Sequence, residues 1–223
     1  MLDVGCGNGL WLKRLRQLQP GIRDVEADLS LGMLRSLVAH WEERRIPPVT
    51  VVDAQALPFR DGSVDVALMI QMLYHVPNRA KALLEVRRVL SAQGAVVVAT
   101  PALHHLQELR ELLRLAISDV RQEQVVGPFL KNPFDVDTAV QELQANFSHV
   151  ESYVRTGLLE IPQVDPVVAY LDSQQGPDLD ELLPARVAWS DVLNAARRRA
   201  EAVIADRHAF TTPIEVGAFV CRP

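Results

Sequence analysis

Apolar residues return at helical spacing in WLKRLRQL (11–18), MLRSLVAHWEERR (33–45) and RAKALLEVRRVL (79–90). Between them lie short apolar runs that read as strands: LDV (2–4), IRDVEAD (22–28), VTVVDA (49–54), VDVALMI (64–70) and AVVVAT (95–100). The last run is unbroken, as expected for a strand buried on both faces. The loop LPFRDGS (57–63) separates two strands with proline and Asp-Gly punctuation, and the third helix is expected to stop near Gln93 and Gly94.

Strand and helix in alternation predict a doubly wound α/β sheet of Rossmann-like type, mostly parallel. Ligands of such sheets bind beyond the carboxyl ends of the strands. That rule gathers the glycine turn near residue 5, Asp28, Asp53 and the segment 70–75 along one edge.

After residue 100 the pattern changes. Residues 104–124 and 134–145 read as helices, and 149–156 as a strand. Segment 161–178 reads as loop with a short amphipathic helical turn, 182–206 as a long helix, and 214–221 as a closing, antiparallel strand. No internal repeat or low-complexity linker interrupts the chain. The expectation is therefore one domain, 1–223, with helical insertions after the fifth strand and before the last.

Composition narrows the class only modestly. At 48% apolar and 23% charged, the 223 residues suit an ordinary globular protein. No run approaches the roughly 18 apolar residues a membrane helix needs, and the N-terminus shows no signal peptide. A net charge of −5 argues against a nucleic-acid partner. The basic run 197–199 reads as a solvated helix face. Cys6 and Cys221 have neither metal-ligand nor disulfide-framework spacing. A cytoplasmic enzyme with no metal is the expectation.

The sharpest signal is MLDVGCGNGL, with Gly5, Gly7 and Gly9 at every second position after an apolar stub. Glycine permits positive φ and a close ligand approach. A dinucleotide turn would need its third glycine at position 10, which is leucine. The spacing here runs instead Asp3-x-Gly5-x-Gly7-x-Gly9. LDVGCGNG resembles the first motif of class I S-adenosylmethionine-dependent methyltransferases. ADLSLGML (27–34), VDAQALPF (52–59) and DVALMIQMLYHV (65–76) resemble their later motifs, in order and spacing. The likeness is close over about residues 1–100, and nearest to small-molecule methyltransferases of the ubiquinone and menaquinone biosynthesis type.

That resemblance implies a cofactor-binding half, 1–100, and an acceptor-side half, 101–223. S-Adenosylmethionine is the implied cofactor and a small molecule the implied acceptor. Gly5, Gly7 and Gly9 would pass its methionine moiety, and Asp3 would orient the turn or take the ammonium. Asp28 would accept the ribose hydroxyls, with Glu26 its rival. Asp53 and the Ala54 amide would meet adenine, with Leu29 and Leu57 sandwiching it. Ile70 and Gln71 would lie beside the sulfonium. Cys6 would fill space under the turn.

Methyl transfer needs alignment more than a fixed catalytic group. An oxygen acceptor of high pKa would gain from a base, for which His75, next to Tyr74, is the first candidate and His104 and His105 the second. His149 and His208 read as surface or strand-end residues. In the family, helices usually precede the first strand and form part of a lid. Three accounts of the short start compete: a late start assignment, truncation, or cover supplied by 102–133 and 161–206. The first two are favoured, and they predict weak cofactor affinity; a homodimer could also cover the opening. The rival functions are a cofactor-binding protein without transfer, a nicotinamide oxidoreductase, and an RNA or protein methyltransferase.

Overall fold

The structure, a computed structural model, describes residues 1–41, 46–126, 132–176, 179, 182–183 and 187–223. Strands β1 (Leu2–Val4), β2 (Val25–Asp28), β3 (Val49–Val51), β4 (Val64–Ile70), β5 (Leu90–Pro101), β6 (His149–Ile161) and β7 (Phe210–Arg222) form one sheet. Its order is β3-β2-β1-β4-β5-β7-β6. The first five strands pair in parallel, and β7 runs antiparallel to β5. This is the fold class that the alternating pattern predicts. The chain moves outward from β1 to β3, then returns to place β4 on the other side of β1, so the order reverses beside the glycine turn.

Among the described residues the α-helices are α1 (Leu10–Leu18), α2 (Leu31–Ala39), α3 (Arg79–Val89), α4 (Gln107–Arg121), α5 (Val136–Gln144), α6 (Val164–Asp172) and α7 (Trp189–Arg207). Three starts are fixed by side-chain caps. Ser30 accepts from the Met33 amide at 3.3 Å, Asn78 from Lys81 at 3.0 Å, and Asp135 from Thr138 at 2.9 Å. The Ser30 cap explains why α2 begins two residues before the apolar pattern suggested. Of the expected 33–45 helix, residues 42–45 lie outside the described set, as do 184–186 of the expected 182–206 helix.

The third helix ends sooner than expected. It gives way at Leu90 to β5, because Leu90 pairs with Val64 and the register then shifts before Val66 meets Ala95. A β-carbon on Gly94 would stand 3.0 Å from the Asp65 and Ser91 carbonyl oxygens. The glycine that read as a helix stop therefore serves a strand irregularity.

The chain divides into two compact units: 1–102 with 133–154 and 216–223, and 103–132 with 155–215. In the first, Ala82, Leu83, Val86 and Val89 of α3 share a core with Val96 and Val98 of β5 and Ala139 and Leu143 of α5. In the second, Leu109, Leu113 and Ile117 of α4 share a core with Val167 and Leu171 of α6 and Val192 and Ala196 of α7. Burying each large aliphatic side chain contributes about 1.5–3 kcal/mol. No helix among the described residues is long and apolar enough to cross a membrane.

Candidate functional site

At the carboxyl ends of β1 to β4 lies a cavity of about 450 Å³. That is within the usual range for small-ligand sites. Of the residues singled out in the sequence, Gly5, Gly7, Asp28, Leu29, Asp53, Ala54, Gln71 and His75 line it. Another hollow, of about 600 Å³, lies among Met1, Asp24, Phe59 and Val66 and touches none of these residues.

The turn is built from left-handed backbone. Gly5, Gly7 and Gly9 have φ of 75°, 57° and 78°. At Gly5 a β-carbon would come within 2.7 Å of Met72 Cβ, and at Gly9 within 2.9 Å of Leu37 Cδ1. At Gly7 it would meet nothing within 4 Å. Gly5 and Gly9 thus serve packing as well as conformation, while Gly7 leaves open space on the cavity wall. The Gly5 and Cys6 amides both donate to the Ala27 carbonyl, at 2.7 and 3.1 Å, fastening the turn to β2. Cys6 is buried beside Leu34 and Leu37, with its thiol pushed far up by burial.

Asp28 closes the arrangement. Its Oδ2 accepts from the Gly7 amide at 2.9 Å and its Oδ1 from the Ser30 amide at 2.8 Å. Each carboxylate oxygen keeps capacity for a further donor, as two ribose hydroxyls require. Asp53 is held differently. Its Oδ1 accepts from the Gln55 amide at 2.8 Å, and both oxygens accept from Gln55 Nε2. These bonds, the backbone one foremost, hold the Asp53 carboxyl below its ordinary range. Gln55 Oε1 also accepts from the Asn78 amide at 3.2 Å, so this side chain joins the β3 loop to the start of α3.

The floor of the cavity comes from the end of β4. Gln71 adopts φ of 55°, a left-handed conformation in a residue other than glycine, and its amide donates to the Ala99 carbonyl at 2.9 Å. Tyr74 Oη donates to Gln71 Oε1 at 3.3 Å. The Tyr74 and His75 rings stand 4.4 Å apart. His75 is exposed at the cavity wall.

The remaining sequence candidates stand off the cavity. Asp3 and Glu26 are buried beneath the turn, and Leu57 is buried in the core. Gly9 caps α1, while Ile70 and Tyr74 flank lining residues without lining the cavity. His105, in the second unit, accepts from the Glu215 amide at 3.1 Å, and burial lowers its pKa. His104 Nδ1 is 2.8 Å from Gln107 Oε1. Sequence reasoning missed Gln55, Met33 and Met72 as lining residues. Two methionines inside the quoted motifs, at helix and strand ends, were the available signal.

The residues fit an S-adenosyl group on their own geometry. There is open space at Gly7, an acceptor carboxylate at Asp28, and an anionic Asp53 at the mouth. Residues 2–98 match a family described as methyltransferase domain. A malonyl-[acyl-carrier protein] O-methyltransferase of Legionella pneumophila is 30% identical over 110 residues, 49% of this chain and 39% of that protein. A probable S-adenosylmethionine-dependent methyltransferase of Mycobacterium tuberculosis is 32% identical over 103 residues, 45% of this chain and 35% of that one. The chain thus spans less than half the length of either curated relative. The crystal structure of a methyltransferase-like protein from Bacillus halodurans aligns over 99% of this chain and 90% of its own, with a TM-score of 0.57 at 15% identity, which speaks to fold alone.

Proposed function

We propose that residues 2–98, which match a family described as methyltransferase domain, form a class I S-adenosylmethionine-dependent methyltransferase domain, and that the protein transfers a methyl group from this cofactor to a small-molecule acceptor in the cytoplasm. One observation carries the reading. The carboxyl ends of β1 to β4 bring Gly5, Gly7, Asp28, Asp53 and Gln71 around a single cavity. They come from four separate motifs of the sequence, LDVGCGNG, ADLSLGML, VDAQALPF and DVALMIQMLYHV.

When bound, the cofactor supplies a sulfonium-activated methyl group. The chain's own residues bind and orient. The open backbone at Gly7 admits the methionine end, and Asp28 accepts the ribose hydroxyls while staying fastened to the Gly7 and Ser30 amides. Asp53 and the Ala54 amide present an acceptor and a donor to adenine, and exposed Leu29 and Met33 offer apolar cover. Gln71 fixes the turn at the end of β4, where an acceptor approaches, and His75 stands ready to take its proton. The acidic net charge supports an acceptor other than a polyanion.

Calorimetric titration with S-adenosylmethionine, and separately with NADH, tests the first half. Binding of the first only, lost in Asp28→Ala, is expected, and binding of NADH alone would overturn it. Methyl-labelled cofactor offered with small hydroxyl, amine and carboxyl acceptors, an acyl-carrier protein and tRNA tests the second. Label on a small acceptor is expected. Label confined to carrier protein or tRNA would reassign the substrate, and binding without transfer would make the chain a binding protein.

A further inference from the structure

Beneath the glycine turn sit two carboxyl groups that the cofactor contacts above do not use. Asp3 and Glu26 are register partners on the neighbouring strands β1 and β2, so their side chains leave the sheet on the same face. They are 2% and 0% exposed. Neither oxygen of Glu26, nor Oδ2 of Asp3, has a hydrogen-bond partner among the described residues.

The surroundings offer little to neutralise them. On β4 the residue facing Asp3 in register is Leu68, and on β3 the one facing Glu26 is Val49. From α1, the Arg16 guanidinium lies close enough to lower the Glu26 pKa, but it donates to both oxygens of Asp24, at 3.3 and 2.7 Å. Asp24 and Asp28, on the same strand segment, add negative charge, and the nearby Cys6 thiol stays protonated. Two ionised carboxylates stripped of water repel strongly, and neither can donate a hydrogen bond. One proton between them removes a charge and turns one group into a donor. Burial is the main cause that pushes Asp3 up to about 7 and Glu26 to about 8; the Glu26 side chain holds Asp3 down while Asp28 raises it, and Asp3 and Asp24 raise Glu26 further. Such steps belong to the pair rather than to either residue.

We propose that Asp3 and Glu26 share a single proton in the cofactor-free protein, and that the dyad gives it up to solvent when the S-adenosylmethionine cation is held on the glycine turn. This deepens the preceding reading and rests on it. Val4 and Gly5, which follow Asp3 directly, line the cavity, so the dyad sits one to two residues behind the cavity wall. The carboxylic O–H bond breaks heterolytically, its electron pair stays on the carboxylate oxygen, and the proton passes to buffer. The dyad goes from one negative charge to two beneath a ligand of net charge +1, its sulfonium and ammonium outweighing its one carboxylate. Glu26 is then a positioning residue for charge, and cofactor affinity strengthens as pH rises through the dyad's titration. The gain is up to about tenfold per pH unit for one whole proton.

The test is calorimetry of the intact chain with S-adenosylmethionine near neutral pH, in buffers of differing ionisation enthalpy, for wild type and Glu26→Gln. The glutamine amide supplies a permanent donor to Asp3 without a titratable proton. Wild type is expected to release up to one proton on binding. Glu26→Gln should bind while releasing none, with a pH-independent Kd. No release in wild type, or equal release in the variant, overturns the proposal. Carbon-13 spectra of the carboxyl groups in the free wild-type protein provide a measure independent of binding and of the variant's folding. A carboxyl still protonated near pH 7 supports the dyad, and both residues ionised by pH 5 sinks it. Failure to bind the cofactor while that protonated carboxyl is seen would count against the cofactor reading alone.

Discussion

The carboxylate of Asp28 accepts a hydrogen bond from the backbone amide of Gly7 at 2.9 Å, so the end of the second strand and the middle of the glycine turn form one unit. Asp28→Asn would set an amide nitrogen against one of two backbone donors, Gly7 or Ser30. A cofactor Kd weaker by roughly 10- to 100-fold is expected, the loss of one charge-assisted bond at about 1.5–3 kcal/mol. A lower melting temperature should accompany it. Calorimetry and thermal denaturation read the two effects separately, and an unchanged melting temperature would show that the turn does not depend on this bond.

The three glycines of the turn should fail in different ways. Gly5→Ala drives a β-carbon against Met72 as well as straining φ, so the fold itself should lose about 2 kcal/mol or more. Gly7→Ala carries only the conformational cost, about 1 kcal/mol, but places a methyl in the open space beside the cavity. Denaturant midpoints should therefore fall further for Gly5→Ala. Cofactor affinity, measured where both variants are folded, should fall further for Gly7→Ala.

The contribution of Asp3 and Glu26 to folding stability, read as the difference between wild type and Glu26→Gln, should decline as pH rises from about 4 to about 8. The raised Asp3 and Glu26 carboxyls keep protons that the unfolded chain has already lost. In that window the native state binds more protons, and the slope is negative, at most about 1.4 kcal/mol per pH unit for each proton retained. Glu26→Gln should flatten the profile and gain most over wild type near pH 8. Urea denaturation across the range checks both statements, and a wild-type profile rising relative to the variant's over this window would contradict them.

His75→Ala should separate chemistry from binding. The side chain stands exposed at the cavity wall and accepts no bond that holds the turn, so cofactor affinity should change less than threefold. If it takes the acceptor's proton, single-turnover methyl transfer should fall by about 10² or more. Tyr74→Phe removes the hydroxyl that donates to Gln71 and should have a smaller effect on the same rate. Equal losses in rate and affinity for His75→Ala would make the residue a binding contact.

The reach of the sequence is clearest where chemistry and backbone requirement coincide. Glycines at alternate positions announced positive φ, and Asp28 at a strand end announced an acceptor. Gly5, Gly7 and Asp28 line the cavity because a local rule governs each. Asp3 carried the same motif signal, yet its side chain turns beneath the sheet towards Glu26, because strand register decides that and one strand's sequence does not contain its neighbour's. Leu57, in the loop after Asp53, is expected to sandwich adenine with Leu29, but it lies in the core. There Glu85 accepts a hydrogen bond from its amide at 2.9 Å and Arg88 donates to its carbonyl, groups 28 and 31 residues away. Gln71 gave no hint of left-handed backbone, since its conformation follows from the hydrogen bond to Ala99 on the adjoining strand. The division into two interleaved units was also hidden, because residues 133–154 and 216–223 rejoin the first unit through long-range pairing that periodicity does not encode.

The pairing of β5 with β7 has a consequence for synthesis. Val96 finds its antiparallel neighbour in Cys221, and Pro101 in Val216, so a strand translated early waits more than a hundred residues for its partner. Until then a growing chain exposes an apolar backbone edge along AVVVAT, the kind of segment that recruits other strands. A ribosome stalled before residue 216 would therefore leave a nascent protein with its cofactor-side motifs complete and the β5 edge open. The window for chaperone capture falls late in translation, after the cavity residues have all been made.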